Sequence, residues 1–255
     1  MEHQLTPVEQ HGNFLVKRDD LFTIAGQSGG KARTCYYLAT QPGVVGIVTA
    51  GASASPQVCI VANVAKHLGL PCRVHVPARA RQGLSAESLA AEAAGATIIQ
   101  HRGGYNNVII SRAKHDPHLQ QGWREVPFGM ECQEAVEQTR LQVANIPKST
   151  KRIVIPVGSG MSLCGMLHGL QDVGLGHVPV LGVVVGAAPT KRLTKYAPIF
   201  WQSQLTLVNA GLPYGAPAPN TMLGALQLDP IYEAKCLPFL EPDDLLWVVG
   251  VRSTL

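Results

Sequence analysis

Between residues 43 and 100 the chain alternates apolar runs with helical patterns, each closed by glycine, and this alternation limits the available folds more than any other feature. Residues 43–51 (GVVGIVTAG) form a continuous apolar run ending in small residues, as a strand buried on both faces does. Residues 57–68 then place Val58, Val61, Ala62, Ala65 and Leu68 on one helical face, Gly69 stops the helix, and residues 72–77 (CRVHVP) read as a second strand. The cycle repeats with a helix over 85–94, Gly95 and a strand over 96–100. Strand, helix, strand, helix, strand with short connections predicts a doubly wound α/β layout with a parallel sheet. Further on, residues 131–143 read as a helix, 151–157 as a strand, 163–170 as a helix, 180–185 as a strand and 244–251 as the last strand. The stretch 101–127 is irregular and is expected to be rich in loops.

A chain of 255 residues with 46% hydrophobic content, 15% charged residues and 26 glycines can bury a substantial core and is not a disordered polymer. Its formal charge of +4 mildly favours anionic ligands such as phosphates. No Lys/Arg block of the kind that marks nucleic-acid arms is present, so basicity permits such a partner without pointing to one. The six cysteines (35, 59, 72, 132, 164, 236) include no C-x-x-C, and His115 and His118 are the one close histidine pair, so no metal site is expected. The first twelve residues lack a basic segment followed by an apolar stretch, which reads as no signal peptide and a reducing cytoplasm with unpaired thiols. The longest apolar run, 178–189, is too short to span a bilayer and reads as a buried strand, so no membrane role is expected.

Three segments carry groups suited to chemistry. Ser28-Gly29-Gly30-Lys31 is a glycine turn that delivers one lysine and opens into a helix-like run. A phosphate-cradling P-loop would need Gly at 25 and Ser or Thr at 32, where the chain has Ala25 and Ala32. A lysine whose amine is activated by Arg33 and a helix N-terminus is the alternative, beside a plain surface lysine. Gly158-Ser159-Gly160-Met161-Ser162, between a strand and a helix, can offer converging N–H groups and two hydroxyls to a phosphate, or can simply be a tight turn. In Asp229-Pro230-Ile231-Tyr232-Glu233-Ala234-Lys235, Tyr232 and Glu233 supply an acid/base hydroxyl and a carboxylate, with Tyr214 in a Tyr-Gly-x-Pro turn shortly before. Asp229 and Pro230 also read as the start of a helix.

Taken in order, Lys17-Arg18-Asp19-Asp20-Leu21, the Gly-Gly-Lys31 turn, the small-residue loop at 51–57, the Gly-Ser loop at 158–162, Tyr-Gly-x-Pro and Asp-Pro-x-Tyr-Glu resemble the pyridoxal-phosphate (PLP) enzymes of the tryptophan-synthase-β fold (fold type II), within them the aminocyclopropane-carboxylate deaminase and D-cysteine desulfhydrase group. The resemblance runs from about residue 14 to 251 and rests on sequential order. It implies two doubly wound lobes with parallel-type sheets, the smaller over 44–145 and the larger, PLP-binding lobe over 1–43 and 146–255, and commonly a homodimer. It implies Lys31 as the lysine that carries the cofactor as an internal aldimine and later shuttles protons, and Gly158, Ser159, Gly160, Met161 and Ser162 as the phosphate loop. Glu233 matches the glutamate facing the pyridine nitrogen, Tyr232 a catalytic tyrosine and Tyr214 a second one near the substrate. The chain departs from the pattern in the loop for the substrate carboxylate and the cofactor hydroxyl. It reads Gly51-Ala52-Ser53-Ala54-Ser55-Pro56-Gln57, without the family's asparagine, and Ser53 or Ser55 takes its place.

The resemblance thus implies a lyase or deaminase that works at the α-carbon of an amino acid through a quinonoid. Two alternatives stand beside it, and the altered loop, the compressed 214–232 stretch and the basic charge point to the first of them. One is decarboxylation or deprotonation of an amino-acid group carried on a larger substrate, such as hypermodified thymine in phage DNA, which would place the protein in the host cytoplasm. The other is a non-catalytic protein on the same fold.

Overall fold

The computed structural model describes residues 5–52, 55–78, 83–102 and 105–250. Its described residues divide into two compact units, one of residues 5–22 and 132–250, the other of residues between 23 and 131. The divisions fall at 22/23 and 131/132, where the sequence reading draws them at 43/44 and 145/146. The first unit opens with a hairpin, β1 (Val8–His11) and β2 (Phe14–Arg18), that the sequence reading did not single out.

The second unit begins with a small hairpin, β3 (Thr23–Ile24) and β4 (Gln27–Ser28), that leads into α1 (Gly29–Ala39). Then follow β5 (Gly46–Ala50), α2 (Pro56–His67), β6 (Cys72–Pro77), α3 (Ala86–Ala93), β7 (Thr97–His101), α4 (Asn106–Lys114) and β8 (Trp123–Val126). Their four-stranded sheet has the order β7-β6-β5-β8, parallel throughout, as the alternation predicts. Successive residues of β5 serve opposite faces. Val48 and Ala50 pack on Ile109 and Ala113 of α4, while the Thr49 hydroxyl accepts a hydrogen bond from Gln57 of α2. Helix α1 packs on α2 and so belongs to this unit. The stretch 101–127 is more regular than expected. It holds α4, a 3-10 turn over Pro117–Gln121 and β8. Helix α4 buries only Ile109 and Ala113, too sparse a stripe to stand out in sequence, and the polar β8 takes its form from pairing with β5.

The first unit resumes with α5 (Gln133–Arg140), β9 (Ile153–Val157), α6 (Met161–Asp172), β10 (Val180–Val184), α7 (Thr190–Tyr196), α8 (Trp201–Gln204), β11 (Leu205–Asn209), the small hairpin β12 (Met222–Leu223) and β13 (Leu226–Gln227), and β14 (Leu245–Val248). Its six-stranded sheet runs β1-β2-β14-β9-β10-β11, parallel from β2 onward. The apolar run at 178–189 contributes a strand only over Val180–Val184. Helix α6 starts two residues earlier than its apolar pattern, because Gly160 adopts φ 88° and turns the chain into the helix at Met161. Gly165 and Gly169 let α6 lie against α5: a Cβ on Gly165 would strike the Val136 carbonyl, and one on Gly169 would lie 2.5 Å from the Arg140 carbonyl. One face of the sheet (Val16, Val154, Val183, Leu246, Val248) packs on Ala218, Leu223, Leu228, Ala234 and Cys236. The irregular segment that carries Tyr232 and Glu233 is therefore held on the sheet by its own apolar residues. Asp229 does not cap a helix. Its Oδ1 accepts the N–H of Ile231 at 2.8 Å, and a 3-10 helix begins only at Glu233 and runs to Phe239.

Candidate active site

In the first unit the parallel neighbours β9 and β14 end side by side, and both lead into candidate site segments. The C-terminal edge of a parallel sheet is where loops of this kind collect ligands. Beyond β9 lie Gly158, Ser159 and Gly160, with Met161 and Ser162 in the first turn of α6. The leading N–H groups of a helix have no intrahelical acceptor and carry partial positive charge, so this turn suits an anion. Two observations show that the loop is built for close approach. A Cβ on Gly158 would run into the Tyr232 hydroxyl, with Cζ at 3.1 Å and Cε2 at 3.3 Å, and one on Gly160 would lie 3.0 Å from Pro189 Cβ. Tyr232 is thereby packed on the first residue of the loop.

Beyond β14, the N–H groups of Val249 and Gly250 donate to Glu233 Oε1 at 3.1 and 3.3 Å. Glu233 is fully buried, and among the described residues its Oε2 has no hydrogen-bond partner. Burial raises its carboxyl well above the ordinary range and nearby Asp229 adds to the shift, outweighing the backbone donors. A buried acid with one oxygen satisfied and the other idle suits a ring nitrogen that shares a proton with it, and the glycine cradle beside it suits a phosphate. The residues present fit PLP on both counts. Tyr214 lies in the exposed loop before this segment, with 41% of its surface accessible.

The second unit holds the remaining candidates. Lys31 occupies the first turn of α1, after Gly29 at φ 82°, and is half-buried. Gly51 and Ala52 follow β5. The Gly51 N–H donates to the His75 carbonyl at 3.0 Å, and a Cβ at Gly51 would strike Val58. Ser55 caps α2 through its backbone conformation and makes no side-chain capping bond. Ser53 lies outside the described residues. Gln57, to which the sequence reading assigned no role, is 1% exposed and braces this loop. Its amide donates to Thr49 Oγ1 and to the Pro127 carbonyl, and its carbonyl accepts the Gly129 N–H at 2.9 Å. The fold thus gathers Gly158–Ser162, Tyr232 and Glu233 in one unit, and Lys31, Gly51, Ala52 and Ser55 in the other. Among the described residues no cluster of three His, Cys, Asp or Glu side chains could hold a metal ion, and no helix is long and apolar enough to cross a membrane.

Comparison with known proteins agrees with this geometry. Solved structures similar to the whole chain include an ACC deaminase homologue, at 20% identity and TM-score 0.79 over 99% of this chain and 91% of that one. A threonine deaminase from Solanum lycopersicum, the processed form of isoform 2, matches at 15% identity and TM-score 0.64 over 97% and 83% of the two chains. A serine racemase from Dictyostelium discoideum matches at 13% and 0.67 over 97% and 92%. At these identities the likeness establishes the fold, that of the tryptophan-synthase-β-like enzymes. No curated protein sequence matches the chain. The family model described as pyridoxal-phosphate dependent enzyme matches residues 3–221, most of the chain, and the protein therefore belongs to the pyridoxal-phosphate dependent enzyme family, with PLP as its cofactor.

Proposed function

We propose that the protein acts at the α-carbon of an amino-acid substrate, as a lyase of the deaminase or desulfhydrase type, with Lys31 carrying the cofactor. The observation that carries this reading is the buried Glu233 carboxyl with its idle Oε2 beside the glycine loop. PLP, when bound, supplies an electron sink whose strength depends on a protonated ring nitrogen. Glu233, its Oε1 held by two backbone N–H groups, would share a proton with that nitrogen through Oε2. Gly158, Ser159, Gly160 and the first turn of α6 would bind the phosphate through N–H and hydroxyl donors. Tyr232, fixed on Gly158, presents a hydroxyl for proton transfer, and Tyr214 supplies a second on the substrate side. Lys31, in the first turn of α1, would hold the cofactor and take up or return a proton at the substrate α-carbon.

A second reading, an amino-acid group carried on a larger substrate such as modified DNA, is favoured by one observation. Pro56 occupies the first helical position of α2, so the loop that would clasp a free carboxylate has one N–H donor fewer. Borohydride treatment of the protein with PLP tests both readings. Peptide mapping is expected to find the cofactor fixed at Lys31 and nothing fixed in Lys31→Ala; a wild-type protein that traps no PLP would end both. Turnover of free D- or L-amino acids supports the first reading, and turnover confined to DNA-linked ones supports the second.

A further inference from the structure

We propose that Lys235 is a positioning residue that holds the Tyr214 loop against the Tyr232–Glu233 segment, an inference that rests on Tyr214 acting on the substrate side. Lys235 is 1% exposed, and its ammonium donates to the carbonyl oxygens of Pro213 at 2.8 Å and Tyr214 at 3.0 Å. Burying an ammonium is costly, and an apolar side chain of the same length would fill the space without that cost. The two bonds explain the choice. Residues 211–215 are exposed and belong to neither strand nor helix, so little apolar packing orders them. Inside the loop the Ala216 N–H closes a turn on the Pro213 carbonyl at 3.1 Å, and after it the Ala218 N–H donates to the Pro230 carbonyl at 2.7 Å. Lys235 thus ties down the near end of the loop while the Ala218–Pro230 bond ties down its far end. Both anchors sit on the segment that bears Tyr232 and Glu233. Two bonds to backbone atoms on either side of the Tyr214 Cα set where that side chain starts, so Lys235 acts through Tyr214 and need not touch the substrate itself.

The test uses the full chain as wild type, Lys235→Met, Lys235→Gln, Tyr214→Phe and the Lys235→Met/Tyr214→Phe double variant. Amide exchange needs no cofactor. In Lys235→Met, exchange at Tyr214, Gly215 and Ala216 is expected to quicken about tenfold while β9 and β14 keep their protection, with Lys235→Gln in between because its amide can still serve one carbonyl. In the PLP-loaded proteins, aminooxyacetate serves as a probe with an amine-like head and a carboxylate, and its rate of cofactor capture is read from the visible absorbance. Lys235→Met and Tyr214→Phe are each expected to slow capture about tenfold, with the double variant no slower than either and PLP affinity unchanged. Unaltered exchange at residues 214–216, or slowing that multiplies in the double variant, overturns the proposal. Should Lys235→Met not fold, Lys235→Gln decides by the same two readouts. If wild type takes up no PLP, the reading under Proposed function fails, and the exchange measurement still decides whether Lys235 anchors the loop.

Discussion

Replacing Gly158 by alanine probes the contact that joins the Gly158–Ser162 loop to Tyr232. The added Cβ would fall inside the Tyr232 hydroxyl, with ring carbons at 3.1 and 3.3 Å, against an ordinary carbon–carbon separation of about 3.5 Å or more. The phenol must therefore withdraw by about an ångström, a move its fully buried neighbour Glu233 hampers. Overpacking of this kind costs about 1–3 kcal/mol. If the phenol oxygen is the obstacle, Tyr232→Phe removes it. The remaining ring carbons then need to give by only a few tenths of an ångström, and Gly158→Ala should cost under about 1 kcal/mol in that background. The expected coupling in the double-mutant cycle is about 1–2 kcal/mol. Urea unfolding in a Trp123→Phe background reads it out, because the remaining tryptophans, Trp201 and Trp247, both lie in the unit that contains Gly158. An equal cost of Gly158→Ala with and without the Tyr232 hydroxyl would falsify the placement of the phenol on the loop.

Three further outcomes are expected. Glu233, raised mainly by burial, makes the folded protein bind a proton that the unfolded chain has lost above about pH 4.3, so its effect costs stability as pH rises from there through its raised folded value. Glu233→Gln should raise the urea midpoint of the cofactor-free protein at pH 7 and flatten its fall with pH; an unchanged pH dependence would count against a neutral Glu233. In the other unit, burial alone would raise the Asp116 carboxyl, but the His118 N–H, Arg73, His118 and His75 together hold it well below the ordinary range. Burial also lowers His75. Both folded values are depressed, so their stability is complete above about pH 6.5 and is lost on acidification, first through His75 and then, below about pH 4, through Asp116. Asp116→Ala strips a buried acceptor and should cost about 3–5 kcal/mol, read by Trp123, whose ring lies 4.7 Å from that of His118; a cost under about 1 kcal/mol would refute the cluster. Among the six cysteines, five are buried, and burial pushes the Cys72 and Cys164 thiols up to about 12, so a thiol reagent on the native protein should label Cys132 first, as peptide mapping can show.

The parallel strands β5, β9 and β10 were legible because strands buried on both faces must be continuously apolar, and β6 and β7 because a glycine that closes the preceding helix needs no tertiary partner. Helix α4 and strand β8 were not legible. One shows only two buried positions, and the other has no apolar run and owes its form to pairing with β5. Ser55 illustrates the same divide within the candidate site. Its place before Pro56 is readable in sequence, whereas its freedom from side-chain capping is a matter of geometry.

From sequence alone came the alternating α/β class and the order of the lysine turn, the Gly-Ser loop and the Tyr-Glu pair, because periodicity and glycine placement are local properties of a chain. Only the tertiary structure decided that Gly158 is a glycine because Tyr232 lies on it, and that Glu233 has one oxygen satisfied by β14's exit and the other idle. It also decided that Lys235 spends its charge on the carbonyls of a distant loop. These are contacts across some 16 to 74 positions of the chain, and no local pattern records a partner that far away.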